Sequence, residues 1–283
     1  MPQTTLGGTV PLKGISLHSG EDVHMELRPA PEETGLVFHV HAEDGVHVIP
    51  LRPEAVSTTE LATTVSDGAV SVSTIEHILA ALYGLCVDNV ELHVFASEVP
   101  ILDGSARLVA EAVQKAGIRA QSAPRRVARI ARPFAMTKDG KSIEAAPGHG
   151  FRVDYTIVFP HPAIGEQRLA LDITPESFAR EIACARTFGF LREVEYLRSR
   201  GLARGGSLEN VVVVGDEGVV NDGGLRFPDE FVRHKILDFI GDMAMFGTPL
   251  RGAFTVRCSG HSWNNAFLRA LALEDGVLEP GTE

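Results

Sequence analysis

The chain has 283 residues, 44% of them hydrophobic and 22% charged, which is material for one large domain or two ordinary ones with a buried core. A formal net charge of −11 excludes a general nucleic-acid footprint. Three cysteines without Cys-x-x-Cys spacing exclude a disulfide framework or a Cys-rich metal site, and the longest apolar run, residues 78–87, is about half a membrane span.

Met1-Pro-Gln-Thr-Thr has no basic or apolar leader pattern, so no signal peptide is expected and the expected compartment is the cytoplasm. Residues 7–20 read as a loop between short strands. The alternation of Val23-His24-Met25-Glu26-Leu27 predicts a half-buried strand, and further strands are expected at 36–40, 46–49 and 70–72. Ser73-Thr74-Ile75-Glu76-His77 carries the Ser-x-x-Glu capping-box pattern, so a helix should begin here. Its apolar stripe is Ile75, Ile78, Leu79, Leu82 and Leu85, which leaves Glu76 and His77 off the core face. A strand at 90–95 and a helix at about 105–116 follow. Residues 120–133, with Pro124, Arg125 and Arg126, read as a linker.

The second half repeats this order of elements without a sequence repeat. Strands are expected at 142–145 and 152–159. A helix opens at Thr174-Pro175, with Pro at its first position, and runs to about 186. A further helix spans 192–200. Gly205-Gly206-Ser207 reads as a turn, because it lacks phosphate-loop spacing and a following helix. A buried strand covers 211–214. Pro228 and Asp229-Glu230 then open a helix that Gly247 and Pro249 close. Residues four apart stack on one helix face, so His234, Asp238 and Asp242 form one ionisable stripe. Val232, Ile236, Phe239, Ile240 and Met243 fall opposite. A strand at 252–256, a Gly-rich loop carrying His261 and a last helix at 263–273 complete the chain, and the acidic tail beyond 274 is expected to fray.

An imidazole and a carboxylate one turn apart can reach one divalent cation, and zinc suits that N/O mixture with a third protein ligand and an open position. His77 of the first half with His234 and Asp238 of the second makes a His-His-Asp set, if the two halves meet. Glu76 is then placed as general base. His261 on its loop is a candidate to stabilise an oxyanion or protonate a leaving amine, with Asp242 as its orienting carboxylate. These residues leave open a metal-dependent amidase and, from a different class, a catalytically silent binding module. Glu76, both histidines, Asp238, Asp242 and His261 occurring together speak for an enzyme.

Gly-Ile-Ser-Leu-His-Ser-Gly (14–20), Ser-Thr-Ile-Glu-His (73–77) and Glu-Val-Pro-Ile-Leu-Asp-Gly-Ser-Ala (98–106) occur in this order in the first half. Ala-Arg-Thr-Phe-Gly-Phe-Leu-Arg-Glu (185–193), Gly-Gly-Ser-Leu-Glu-Asn (205–210), Asp-Glu-Phe-Val-Arg-His-Lys-Ile-Leu-Asp (229–238) and Ser-Gly-His (259–261) with Asn264-Asn265 follow in the second. Through these motifs residues 4–273 resemble the bacterial UDP-3-O-acyl-N-acetylglucosamine deacetylases, the zinc amidases of lipid A synthesis. The resemblance implies an α+β fold of two domains, here 1–122 and 134–275 joined by 123–133 and trailed by 276–283. Each domain is expected to hold a sheet with two main helices, and the helices to pack between the sheets. A small βαβ-like insert at about 190–214 is expected to line an apolar passage for an acyl chain. The resemblance makes His77, His234 and Asp238 the ligands of one zinc ion, Glu76 the base, His261 the electrostatic stabiliser and acid, and Asp242 its partner. Thr187 matches a hydroxyl beside the oxyanion, and Lys235, Lys141, Phe188 and Glu193 match substrate contacts. It implies a small-molecule substrate, an acylated UDP-N-acetylglucosamine, and a monomer is expected. The chain departs from the family pattern at Ser262-Trp263 after the histidine and at Thr59-Glu60-Leu61 near the passage.

Overall fold

A computed structural model covers all 283 residues. Each half contributes one main sheet, as the alternating patterns predict. The first has five strands in the order Val10–Ile15, Asp22–Pro29, Val90–Val94, Leu36–Ala42 and Gly45–Pro50. The second has seven, with Leu250–Arg257 central: it pairs antiparallel with Lys141–Ala146 and parallel with Phe151–Phe159 and Arg126–Ile130. The helices are α1 (Glu76–Gly84), α2 (Arg107–Ala116), α3 (Pro175–Ser177), α4 (Leu191–Ser199), α5 (Glu230–Ala244) and α6 (His261–Leu273). The fold is α+β. A βαβ unit stands in the second half: Phe188–Phe190 runs parallel to Val212–Gly215, with α4 between them.

The junction that matters is between α1 and α5, which lie side by side. Gly241 permits it. A Cβ there would lie 2.0 Å from the Glu76 carbonyl oxygen, so backbone meets backbone at this crossing. Val232, Ile236, Phe239, Ile240 and Met243 of α5 are all fully buried, and the helix packs on Phe151–Phe159 and Gly165–Asp172. A single core joins both halves. Gly241→Ala is expected to lose about 1–2 kcal/mol despite alanine's better helix propensity, because overpacking two backbones outweighs it. Thermal denaturation checks this, and bound metal should fall with it.

Three expectations need correction. The segment read as a linker is mostly strand: Ile118–Pro124 pairs with Pro2–Leu6, and Arg126–Ile130 joins the second sheet. Pro124 and Arg126 sit at strand ends, and Arg125 between the two strands is buried against Asp88 at 2.8 Å, which broke up the pattern. The tail does not fray, because Leu278–Thr282 pairs along Arg126–Ile130. Pro280 is tolerated on that edge strand, and the Glu283 carboxylate accepts from Arg251 Nε at 2.6 Å. The helix expected to run from 175 to 186 is a one-turn α3, capped by Thr174, followed by a π-turn at Phe178–Ile182.

Candidate active site

α5 delivers its stripe as predicted, but buried rather than solvated: His234, Asp238 and Asp242 are 2–3% exposed. The α1 crossing covers them. Asp238 Oδ1 lies 3.2 Å from His234 Nε2 and 3.6 Å from His77 Nε2. The two imidazoles stand edge-on, 5.0 Å between centroids. His234 Nδ1–H donates to the Ala185 carbonyl at 3.1 Å, which leaves the Nε2 lone pair facing the carboxylate. Unwinding of the chain after Ile182 frees that carbonyl. Asp238 Oδ2 accepts from Lys235 Nζ at 2.7 Å. His77 Nδ1 and Asp238 Oδ1, however, are buried without any hydrogen-bond partner.

Orphaned buried polar atoms are costly unless something else satisfies them. One ligand atom from each of the three residues lies within 4.8 Å of the others. Burial works against the Asp238 charge, yet His234 and Lys235 hold its carboxyl well below the usual carboxylate range. Burial lowers His77 and keeps it neutral, against the pull of Asp238. A carboxylate and imidazole lone pairs converging in a dry site fit a divalent cation.

Beside this cluster stand two more ionisable groups. Glu76 Oε1 is 3.8 Å from His261 Nε2, and Glu76 Oε2 accepts from the Thr63 N–H at 3.1 Å. Asp242 Oδ2 accepts from His261 Nδ1–H at 2.8 Å and from Asn264 Nδ2 at 2.8 Å, while Thr63 Oγ1 donates to Asp242 Oδ1 at 2.6 Å. Burial pushes Glu76 up to about 7; His261 opposes this, and Asp238 and Asp242 add to it. Burial alone would lower His261, but Asp242 and Glu76 outweigh it and raise the imidazole to about 10. At neutral pH the site therefore holds an imidazolium facing a carboxyl poised to exchange a proton.

The capping box does not form. Ile75 caps α1 without a side-chain bond, and Ser73 Oγ instead accepts from Thr64 Oγ1 at 3.0 Å. The Glu76 carboxyl is turned inward. His261 is the first residue of α6 rather than a loop residue.

An apolar cavity of about 430 Å³ runs along the βαβ unit. Thr187 and Phe188 line it, as do Glu193, Val194 and Leu197 of α4. Leu17 and Leu61 close it from the first half. Phe188 packs edge-on against Phe231 at 5.0 Å and His234 at 6.2 Å, with Lys235 Nζ 5.8 Å from its ring centre. Lys141 is not among the lining residues; it is exposed at the start of its strand. Its neighbour Ser142 pairs with Arg257, four residues before His261, which puts it at the same end of the sheet. Glu60 pairs with Arg200 at 2.9 Å across the cavity rim.

A family model described as "LpxC: UDP-3-O-acyl N-acetylglycosamine deacetylase" matches residues 3–273. The chain belongs to the LpxC family. Three relatives named UDP-3-O-acyl-N-acetylglucosamine deacetylase illustrate the similarity. That of Nitratidesulfovibrio vulgaris is 57% identical over 96% of this chain and 88% of its own length. That of Oleidesulfovibrio alaskensis is 55% identical over 96% and 89%, and that of Lawsonia intracellularis 47% over 98% and 91%. LpxC enzymes are metal-dependent deacetylases, and the buried His-His-Asp group is a place for such a metal.

Two residues that bond the site carried no role in the sequence reading. Asn264, named there only within a motif, lies three residues after His261 on α6, so i,i+3 spacing puts both on one face, where both donate to Asp242. Thr63, which bonds both Glu76 and Asp242, precedes α1 in a loop with no periodicity to mark it.

Proposed function

We propose that this chain hydrolyses the N-acetyl group of UDP-3-O-(3-hydroxyacyl)-N-acetylglucosamine, the committed step of lipid A biosynthesis, with zinc held by His77, His234 and Asp238. The observation that carries this reading is the convergence of that donor group with Glu76 and His261, and the packing of His234 on Phe188, a lining residue of the apolar cavity. Zinc supplies, when bound, a Lewis acid for the amide carbonyl and for water. Glu76 Oε1 takes the proton that water loses. His261, held as imidazolium by Asp242, stabilises the charge that grows on the carbonyl oxygen and gives its Nε2 proton to the leaving amine. Thr187 hydrogen-bonds the same oxygen. Lys235, Lys141, Phe188 and Glu193 meet the sugar and diphosphate, and the cavity takes the acyl chain. The enzyme acts in the cytoplasm as a monomer on a small-molecule substrate.

The deciding experiment is turnover of the acylated UDP-sugar by purified protein with and without a chelator, with zinc counted per chain. One zinc per chain and chelator-sensitive activity are expected. His77→Ala should lower occupancy as His234→Ala does; full occupancy in His77→Ala would break the idea that the two halves share the ion.

Rate against pH should be bell-shaped, rising as Glu76 ionises and falling as His261 loses its proton near 10. Asp242→Asn removes a carboxylate that stabilises the imidazolium, so the falling limb should move to lower pH. An unmoved limb would show that another group sets it.

A further inference from the structure

The outer face of the five-stranded sheet carries chemistry that the deacetylase reading does not use. His39-Val-His41 and Glu91-Leu-His93 lie on neighbouring parallel strands, with His39 directly opposite His93. Residues two apart on a strand share a face. Phe38, Val40 and Leu92 point into the core, so His39, His41, Glu91 and His93 all face outward together. The His39 and His93 rings stack at 4.7 Å between centroids. His93 Nε2 is 3.2 Å from Glu91 Oε2, and His93 Nδ1 is 2.9 Å from His41 Nε2. One ligand atom from each of His39, Glu91 and His93 lies within 4.8 Å of the others.

We propose that His39, Glu91 and His93 form a second divalent metal site, with His41 positioning His93. Two imidazoles and a carboxylate match zinc, nickel or copper(II). His41 supplies an outer partner: a bound cation selects the tautomer in which His93 Nδ1–H donates to His41 Nε2, 2.9 Å away, and His93 Nε2 turns its lone pair to the metal beside Glu91. Zn–N bonds of about 2.0 Å put tetrahedral ligands about 3.3 Å apart. The His93–Glu91 pair already has that spacing. His39 and Glu91 are only half-buried, so side-chain rotation can close the rest. A fourth position faces solvent and takes water. The metal-free alternative is a chain of shared protons, from His41 through His93 to Glu91.

Equilibrium dialysis of the full chain against zinc tests this, because it counts ions independently of what the catalytic centre does. Wild type is expected to saturate at one more ion per chain than His39→Ala, with micromolar affinity for the extra ion and the same deacetylase turnover in both. Equal stoichiometry in the two proteins at submillimolar zinc would overturn the site and leave the proton chain. A histidine-ring NMR titration of wild type makes the result independent of the variant's folding. Resonances of His39 and His93 should shift with the second equivalent, and shifts confined to other histidines would also overturn it.

Discussion

Glu76→Gln is expected to keep its metal and its fold while losing about 10² to 10⁴ in turnover, the usual contribution of a positioned general base. Three observations set this expectation. Glu76 is not one of the converging ligand residues, so its charge is not needed to hold the ion. Its one hydrogen bond, from the Thr63 N–H, can be accepted equally by a glutamine carbonyl. The helix start does not depend on it either, since Ile75 caps α1 without a side chain. What glutamine cannot do is take a proton, and burial places the Glu76 carboxyl at about 7, where proton exchange at neutral pH is easiest. A second signature separates this role from simple disruption. Glu76 helps raise His261 to about 10, so losing its charge should move the falling pH limb downward in whatever activity remains. Zinc content, thermal midpoint and turnover measured on one preparation decide the matter. Intact metal, intact fold and near-normal turnover would reject Glu76 as the base.

What the sequence could reveal about this site followed from local periodicity. The four-residue spacing put His234, Asp238 and Asp242 on one face of α5, and the helix signals placed Glu76 and His77 at the start of α1. No local rule says that these faces meet. That depends on Gly241, whose missing side chain lets α5 reach the Glu76 backbone. Burial was misjudged for the same reason: residues that look solvated on an isolated helix are covered by the other half. The capping-box pattern misled because the Glu76 side chain satisfies a long-range partner, Thr63, in place of its own helix end. The Gly-Gly-Ser segment was rightly read as a turn, but its purpose was invisible. Gly205 sits against Ser16, where a Cβ would lie 2.1 Å from the carbonyl oxygen, so two distant motifs dock on one another. The π-turn at Phe178–Ile182 has a similar cause. The Phe178 ring fills the space above Gly84 of α1, and the chain then leaves helical geometry to bring Ala185 to His234 and Thr187 to the cavity.

Removing the acyl chain from the substrate should cost at least about 10² in kcat/KM. Each methylene moved from water into an apolar passage is worth about 0.8 kcal/mol, so four of them already supply about 3 kcal/mol, or a factor above 10². The apolar cavity suits this. None of the residues of α4 is buried in the core, and its apolar side, with Leu191, Val194 and Leu197, borders the cavity instead. Opposite stand Val211, Val213 and Val220, with Leu17 and Leu61 from the first half. Such an exposed apolar lining marks a binding surface. The loss need not fall on KM alone. Phe188 links the cavity to His234 through an edge-on ring contact, so on the proposed reading an acyl chain in the cavity would also fix the amide against Glu76 and His261. Part of the effect should therefore appear in kcat. A variant in the lining separates acyl recognition from damage to the catalytic groups. Leu197→Glu places a carboxylate in the cavity wall, at a residue that is not part of the ionisable cluster. It should lower kcat/KM on the acylated substrate severely while leaving the slow turnover of acyl-free UDP-N-acetylglucosamine nearly unchanged. Equal efficiency of wild type on the two substrates, or an equal loss on both in Leu197→Glu, would remove the cavity from the account of substrate recognition.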